Sequence, residues 1–177
     1  RNVQPGGFSG KNRVGRHQGY VEVKKFHSDD LMLRAGRQEL SFSNERMIGG
    51  VGWNNIGRVF DGGLLRLSAD AVSVDLFGMR VAQVQTYPAA ATPASTAPVT
   101  DNGQNFFGLY TQWNITGGHK VDVYALYQGN RMQTAAGFID FRRVTAGAYA
   151  KGKMDAFLYE TEIALQAGER GAADIAA

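Results

Sequence analysis

The chain has 177 residues, with 19 basic and 16 acidic side chains, a formal charge of +3 and no cysteine. This length suffices for one domain or one large sheet, and the missing cysteines exclude a disulfide framework and a thiolate metal site. Basic and acidic residues are interspersed, so the sequence has no basic arm for binding nucleic acid. It also has no run of about 18 apolar residues, so no transmembrane helix is predicted. With 23 glycines, 4 prolines and many Tyr and Phe residues, the composition favours β-structure.

The two ends of the chain are unusual for a complete protein. It begins with Arg1 rather than Met, shows no signal peptide, and ends inside a segment that alternates like a strand. We therefore expect a fragment of a longer protein, for which a missing signal peptide says nothing about location.

About eight segments alternate apolar and polar residues with period two, as half-buried strands do. In the segment 121–128, for example, Val121 and Val123 share one face, whereas Asp122 and Tyr124 share the other. In chain order the segments are 19–26, 31–38, 63–81 (two strands that turn near Asp70), 106–113, 121–128, 143–150 and 155–166. The opposite face repeatedly carries charge, glycine or tyrosine, and a helical period fits these segments poorly.

The connections between these strands alternate strictly in length. Short ones lie at 27–30, 68–71, 114–120 and 150–154, and long ones at 39–60, 83–104 and 129–141. Short periplasmic turns and long extracellular loops are typical of up-and-down antiparallel β-barrels of the bacterial outer membrane. We predict one all-β transmembrane barrel domain over 1–177, with 1–17 as a loop and the Pro/Ala/Thr-rich 83–104 as a long extracellular loop.

The same alternation fits a soluble antiparallel barrel or sandwich acting as a ligand-binding module. The mixture of charge, tyrosine and glycine on the polar face favours a polar lumen, which places the apolar face toward lipid. The predicted lipid-facing residues are Leu65, Val72, Val74, Leu109, Val123 and Ile163. Aromatic residues near strand ends are candidates for interfacial girdles, namely Phe26, Phe77, Phe107, Trp113, Tyr127 and Phe157.

The stretch 31–67 resembles the alginate export family of bacterial outer-membrane barrels. The resemblance lies in Gly36-Arg37-Gln38-Glu39-Leu40, which ends a strand, and in Asn55-Ile56-Gly57-Arg58-Val59-Phe60-Asp61-Gly62, which leads into the next; paired strands in 142–168 resemble the family more weakly. The resemblance implies a larger barrel of which this chain supplies about half. It also implies an outer-membrane location, passage of an anionic polysaccharide or small anionic solute, contact with outer-membrane lipid, and periplasmic export partners.

Arginine suits such a pore because its guanidinium stays charged and binds a carboxylate with two hydrogen bonds. Candidate pore-lining residues by strand parity are Arg34, Arg66, Arg143, Asp75, Asp122, Tyr124, Glu160 and Glu162, and the motif adds Arg37 and Arg58. We expect the carboxylates to pair with the arginines across strands. These charged residues then either brace the wall or contact the substrate. Arg37 has the wrong parity for the lumen. Charged residues of 37–61 are expected to form a network where the loop folds over or into the pore.

An enzyme is not indicated. His17, His27 and His119 lie in or beside loops without metal-ligand spacing, and no nucleophile–base constellation is visible. Glu160 and Glu162 share a strand face and could act as an acid/base pair, but no nucleophile accompanies them. No glycine-rich loop precedes a helix, so nucleotide binding is not supported, and we predict neither a metal nor a cofactor.

Overall fold

The computed structural model describes residues 17–50, 58–81, 86–87, 99–100, 104–134 and 137–176. Nine strands form one antiparallel sheet in the order β1-β2-β3-β4-β7-β8-β9-β10-β11. They are β1 (Gly19–Lys24), β2 (Leu31–Gln38), β3 (Phe60–Ala69), β4 (Val72–Val81), β7 (Asn105–Ile115), β8 (His119–Thr134), β9 (Gly137–Met154), β10 (Phe157–Arg170) and β11 (Ala173–Ala176). A separate two-stranded ladder joins β5 (Thr86–Tyr87) to β6 (Val99–Thr100). The predicted all-β, up-and-down architecture is confirmed.

Each strand of the large sheet pairs with its neighbours in continuous register, so residues line up in rows that cross the sheet. One such row contains Arg66, Asp75, Tyr110, Tyr124 and Gly147. Because side chains alternate along a strand, successive rows face opposite sides. We call the side that bears this row the inner face and the opposite side the outer face.

The outer face is apolar and open. Leu76, Leu109, Val123, Ile163 and Leu165 each expose about half or more of their surface, from 46% to 69%. Soluble monomers rarely expose large contiguous apolar patches, whereas a wall in contact with lipid does. The outer face therefore fits the predicted lipid-facing wall better than a soluble binding module.

The aromatic residues divide between the two faces. Phe107, Trp113 and Phe157 are half-exposed or more on the outer face, and Phe107 contacts Tyr127 with ring centroids 6.2 Å apart. Phe77 does not belong to an outer girdle: it is buried on the inner face, because its parity matches Asp75 rather than Leu76. The girdle prediction is therefore wrong for Phe77.

The hydrophobic core lies on the inner face rather than between two sheets. Its members are Leu40, Phe42, Ile48, Phe60, Leu64, Phe77, Met79, Tyr110, Tyr124 and Leu126. The first three come from the segment that follows β2, residues 39–50, which we call the inner loop. Apolar side chains of the inner loop therefore pack on the apolar residues of the inner face.

The connections agree only partly with the sequence pattern. Tight turns join β3 to β4 at Asp70 and β9 to β10 at Asp155, both with positive φ. The long connection expected at 129–141 is wrong, because β8 continues to Thr134 and β9 begins at Gly137. The turn expected at 150–154 likewise lies in β9, which runs to Met154. Strands β8 and β9 are longer than the alternating segments 121–128 and 143–150, because their backbone pairing continues beyond those segments.

Strands β1 and β11 form the two edges of the sheet, and no described residue pairs with their outward sides. Residues 1–16 of the predicted N-terminal loop lie outside the described residues, as do 83–85, 88–98 and 101–103 of the predicted extracellular loop. Within the described parts of the chain there is no helix long and apolar enough to cross a membrane.

Candidate functional site: the inner face and its loop

The inner loop folds back against the inner face. The Phe42 N–H donates to the Ile48 carbonyl at 3.2 Å, and the Glu45 N–H donates to the Phe42 carbonyl at 2.9 Å. Ser43 and Glu45 adopt positive φ, which reverses the chain at the tip of the loop. The result is a compact bend with Phe42 and Ile48 on the side that meets the sheet.

An aromatic stack anchors this bend. The Phe42 ring lies 4.3 Å from the Tyr110 ring and 5.7 Å from the Phe77 ring, and Tyr110 stacks on Tyr124 at 5.4 Å. Phe42 is only 4% exposed. Stacked aromatic pairs contribute about 0.5–1.5 kcal/mol beyond their buried area, so Phe42 attaches the loop to the sheet more strongly than its buried area alone would. Leu40 and Ile48 of the loop are buried in the same cluster.

The tip of the loop reaches the far side of the sheet. The Asn44 side-chain amide donates to Glu160 at 3.1 Å, and the Arg46 Nε lies 3.6 Å from Glu162. Both glutamates belong to β10, whereas the loop leaves from β2, with β3, β4, β7, β8 and β9 lying between them. The loop therefore spans most of the inner face.

Two arginines of the inner face are held by carboxylates. Arg66 donates to both oxygens of Asp75 at 2.6 and 2.8 Å, and Asp75 is fully buried. Arg34 donates twice to one oxygen of Glu22, at 2.8 and 2.5 Å, and stacks over the Tyr20 ring. The expected arginine pairing is confirmed for Asp75. For both arginines the charge is largely compensated by a neighbouring strand.

The other carboxylates have different partners. Asp122 accepts from the Tyr110 hydroxyl at 3.0 Å and lies 3.5 Å from the Lys120 ammonium. Glu162 accepts from the Tyr124 hydroxyl at 2.9 Å and pairs with the loop residue Arg46. The expectation that strand arginines hold Asp122, Glu160 and Glu162 is therefore wrong. Tyrosine, lysine and loop residues do so, because the neighbouring positions in register carry no arginine.

Arg143 differs from the other inner-face arginines. Its Nη2 donates to the Gln128 side chain at 2.7 Å, and its guanidinium lies 5.6 Å from the Phe141 ring centre. Its Nε is buried without a hydrogen-bond partner, and no carboxylate among the described residues pairs with it. Arg143 is thus a cation of the inner face whose charge no described carboxylate balances by direct contact.

The two candidates taken from the motif lie elsewhere. Arg37 faces outward, as its parity requires, and donates to both oxygens of Asp61 at 2.7 Å. Arg58 is exposed, and its backbone N–H donates to the Gly50 carbonyl at 2.7 Å. This bond closes the base of the inner loop. The motif thus marks the attachment of the loop to the sheet, whereas its residues 55–57 lie outside the described residues.

The sequence reasoning missed two features of this face. One is the apolar patch formed by Leu64, Phe77, Met79 and Leu126, whose parity already placed them among the polar residues. The other is a group of lysines at the short-turn end, where Lys120 lies directly opposite Lys151. The apolar patch departs from simple alternation, whereas the lysines follow it. Both could have been found by reading the polar face position by position.

The histidines contribute no metal site. The Tyr159 hydroxyl lies 2.9 Å from the His119 Nδ1, and His17 lies 2.6 Å from Glu39. Among the described residues no group of three or more His, Asp or Glu side chains is placed to hold a metal ion.

The fold and the inner face together define a class of protein: an up-and-down antiparallel wall, apolar outside, charged inside, with a loop packed on its inner face. The chain matches the model of the alginate export family over residues 4–177 and belongs to that family, which comprises outer-membrane β-barrel transport proteins. Comparison with curated proteins and with solved structures gave no match.

Proposed function

We propose that this chain forms the wall of an outer-membrane channel that passes an anionic polysaccharide of the alginate type or small anionic solutes. Family membership supports the transport role, and the contrast between an apolar outer face and a charged inner face supports a polar lumen. The rows of the inner face would then line the pore, and the inner loop would lie inside it.

Arg143 is the residue on which the anion preference depends in this proposal. Arg34 and Arg66 are held by Glu22 and Asp75, so they attract a passing carboxylate less strongly than an uncompensated guanidinium does. Arg143 carries no such counter-charge, and one uncompensated cation in a narrow pore biases ion selectivity toward anions.

The inner loop would limit the open cross-section. Docked between Phe77 and Glu162, it fills the space in front of five strands. Passage of a polymer then requires the loop to leave the aromatic stack. Asn44 and Arg46 bind carboxylates of β10, and an anionic polymer would compete with those carboxylates for Arg46.

The test is ion selectivity in planar bilayers, measured as the reversal potential under a salt gradient. Arg143→Gln should lower the preference for anions, because it removes the uncompensated charge. Arg142→Gln is the matched control, since Arg142 is the adjacent residue in β9 and faces outward. We expect no change in selectivity from it.

An Arg143→Gln channel with an unaltered reversal potential would contradict the role of Arg143 in the pore. Equal shifts from both variants would also contradict it, because they would show that net charge rather than the inner face sets the selectivity.

A further inference from the structure

The outer face carries a groove at the end of the sheet nearest the inner loop. Gly63 and Gly78 lie side by side in register and form its floor. Leu65 and Leu76 form one wall, and Phe107 closes one end, leaving a cavity of about 580 Å³. This volume lies within the range of small-molecule sites, and the lining is almost wholly apolar.

A charged row borders the groove on its other side. Two positions beyond Gly63 and Gly78 along the same strands are Asp61 and Arg80, which face outward directly opposite each other. Asp61 is held by two hydrogen bonds from Arg37. The Arg80 side chain is exposed, and no ion pair or hydrogen bond joins it to another described residue.

This arrangement places one uncompensated guanidinium at the boundary between polar and apolar rows. An apolar slot in contact with lipid is filled by hydrocarbon, and a cation beside it attracts the anionic head of the same molecule. A free phosphate would use only Arg80, and an uncharged lipid would use only the groove. A lipid with an anionic phosphate head group uses both.

We propose that Gly63, Gly78 and Arg80 form a binding site for one anionic membrane lipid in the leaflet on the side of the inner loop. One acyl chain lies across Gly63 and Gly78 against the Leu65 and Leu76 side chains. The phosphate accepts hydrogen bonds from Arg80, beside the Arg37–Asp61 pair.

Two single substitutions separate the parts of the site. Arg80→Gln removes the charge without changing the groove. Gly63→Leu fills the groove, and it should be tolerated because a Cβ added at Gly63 meets only the Arg34 carbonyl oxygen, at 3.9 Å. Gly78 is less suitable, since a Cβ there would lie 3.2 Å from the Phe107 ring.

Each variant has a control on the same outer face. Arg142→Gln removes an arginine from the same charged row, in β9. Ala148→Leu adds an equal side chain to an exposed outer position in β9 that does not line the groove. Heat-modifiable migration on a gel shows that each variant has folded into a barrel.

The experiment is native mass spectrometry of the whole protein, released from detergent after titration with phosphatidylglycerol or with phosphatidylcholine of the same chains. We expect phosphatidylglycerol to bind more tightly than phosphatidylcholine, and Arg80→Gln to weaken it at least about tenfold, as expected for loss of a charge-assisted contact. Gly63→Leu should weaken both lipids, and neither control should change binding.

Equal retention of the two lipids by the unaltered protein would overturn the proposal. The proposal would also be overturned if Arg142→Gln weakened phosphatidylglycerol binding as much as Arg80→Gln does. That result would mean that the charged row as a whole attracts the lipid, rather than Arg80 in particular. Inorganic phosphate that displaces phosphatidylglycerol at low concentration would reduce the site to an anion contact. Channel conductance is measured separately, so this proposal and the transport role can fail independently.

Discussion

Phe42→Ala should detach the inner loop while leaving the strand ladders unchanged. Phe42 is 4% exposed and stacks on Tyr110 and Phe77. Truncation of a buried phenylalanine to alanine costs about 3–5 kcal/mol, because both the transferred surface and the remaining cavity contribute. At its tip the loop is held by one hydrogen bond from Asn44 and one partly exposed ion pair from Arg46. Leu40 and Ile48 are buried beside Phe42, and the bond from the Arg58 N–H to the Gly50 carbonyl closes the base of the loop. The loss of Phe42 should outweigh the two polar contacts at the tip.

The expected change in loop docking follows from that energy. At about 1.4 kcal/mol per factor of ten, the ratio of docked to undocked loop should fall roughly 100-fold to several thousand-fold. Single-channel recording should show a higher open probability, and trypsin should cleave after Arg46 faster, because cleavage tracks the undocked population. The strand ladders should stay intact, so heat-modifiable gel migration and the β-sheet signal in circular dichroism should not change.

Phe107→Ala is the matched control, since it removes the same side chain from the outer face, where Phe107 is half-exposed. It should change neither the open probability nor cleavage after Arg46. A Phe42→Ala channel that opens no more often, with a loop still protected from trypsin, would refute the reasoning that this aromatic contact holds the loop.

Three further predictions concern the wall and the loop. Val74→Lys places a charge on the outer face and should destabilise the barrel in urea titrations in lipid, at a cost that reaches about 2–4 kcal/mol near the bilayer midplane, whereas a soluble fold would tolerate it at little cost. Arg66→Gln leaves the fully buried Asp75 without its cation and should lower the free energy of unfolding by about 3–5 kcal/mol. The double variant Arg66→Met with Asp75→Leu should recover most of that stability. A double variant as unstable as Arg66→Gln would argue against the ion pair as the cause. Asn44→Cys with Glu160→Cys introduces the only two thiols of the chain at positions whose longer native side chains meet at their tips, so a short thiol-reactive cross-linker with a reducible bond should hold the channel closed, and a reductant should restore conductance. Conductance that is the same before and after the reductant would argue against closure by the loop.

The period-two pattern predicted which way most strand residues face. Arg66, Asp75 and Tyr124 lie on one side and Leu65 and Val123 on the other, because a ladder in register fixes alternation along every strand. Even the outward direction of Arg37 followed from its parity. The pattern failed at 129–141, where polar residues and glycines without clear alternation still continue a ladder between β8 and β9.

The contacts of the inner face could not be predicted in the same way. Alternation states that Phe77 faces inward, but it does not state that Phe42 covers it, since the inner loop has no period of its own. The partners of Glu160 and Glu162 come from Asn44 and Arg46, far away in sequence. Such contacts depend on where a loop folds back, which local spacing does not encode.

The apolar patch under the inner loop has a thermodynamic consequence for opening. When the loop leaves, Phe42 and Ile48 meet water, and so do Phe77 and Leu126. Exposure of apolar surface raises the heat capacity, whereas exposure of polar groups lowers it. The equilibrium between docked and undocked loop should therefore vary with temperature along a curve, with docking strongest at an intermediate temperature and weaker on both heating and cooling. A loop held by ion pairs alone would lack this maximum, so the temperature dependence of channel opening reports which force holds the loop in place.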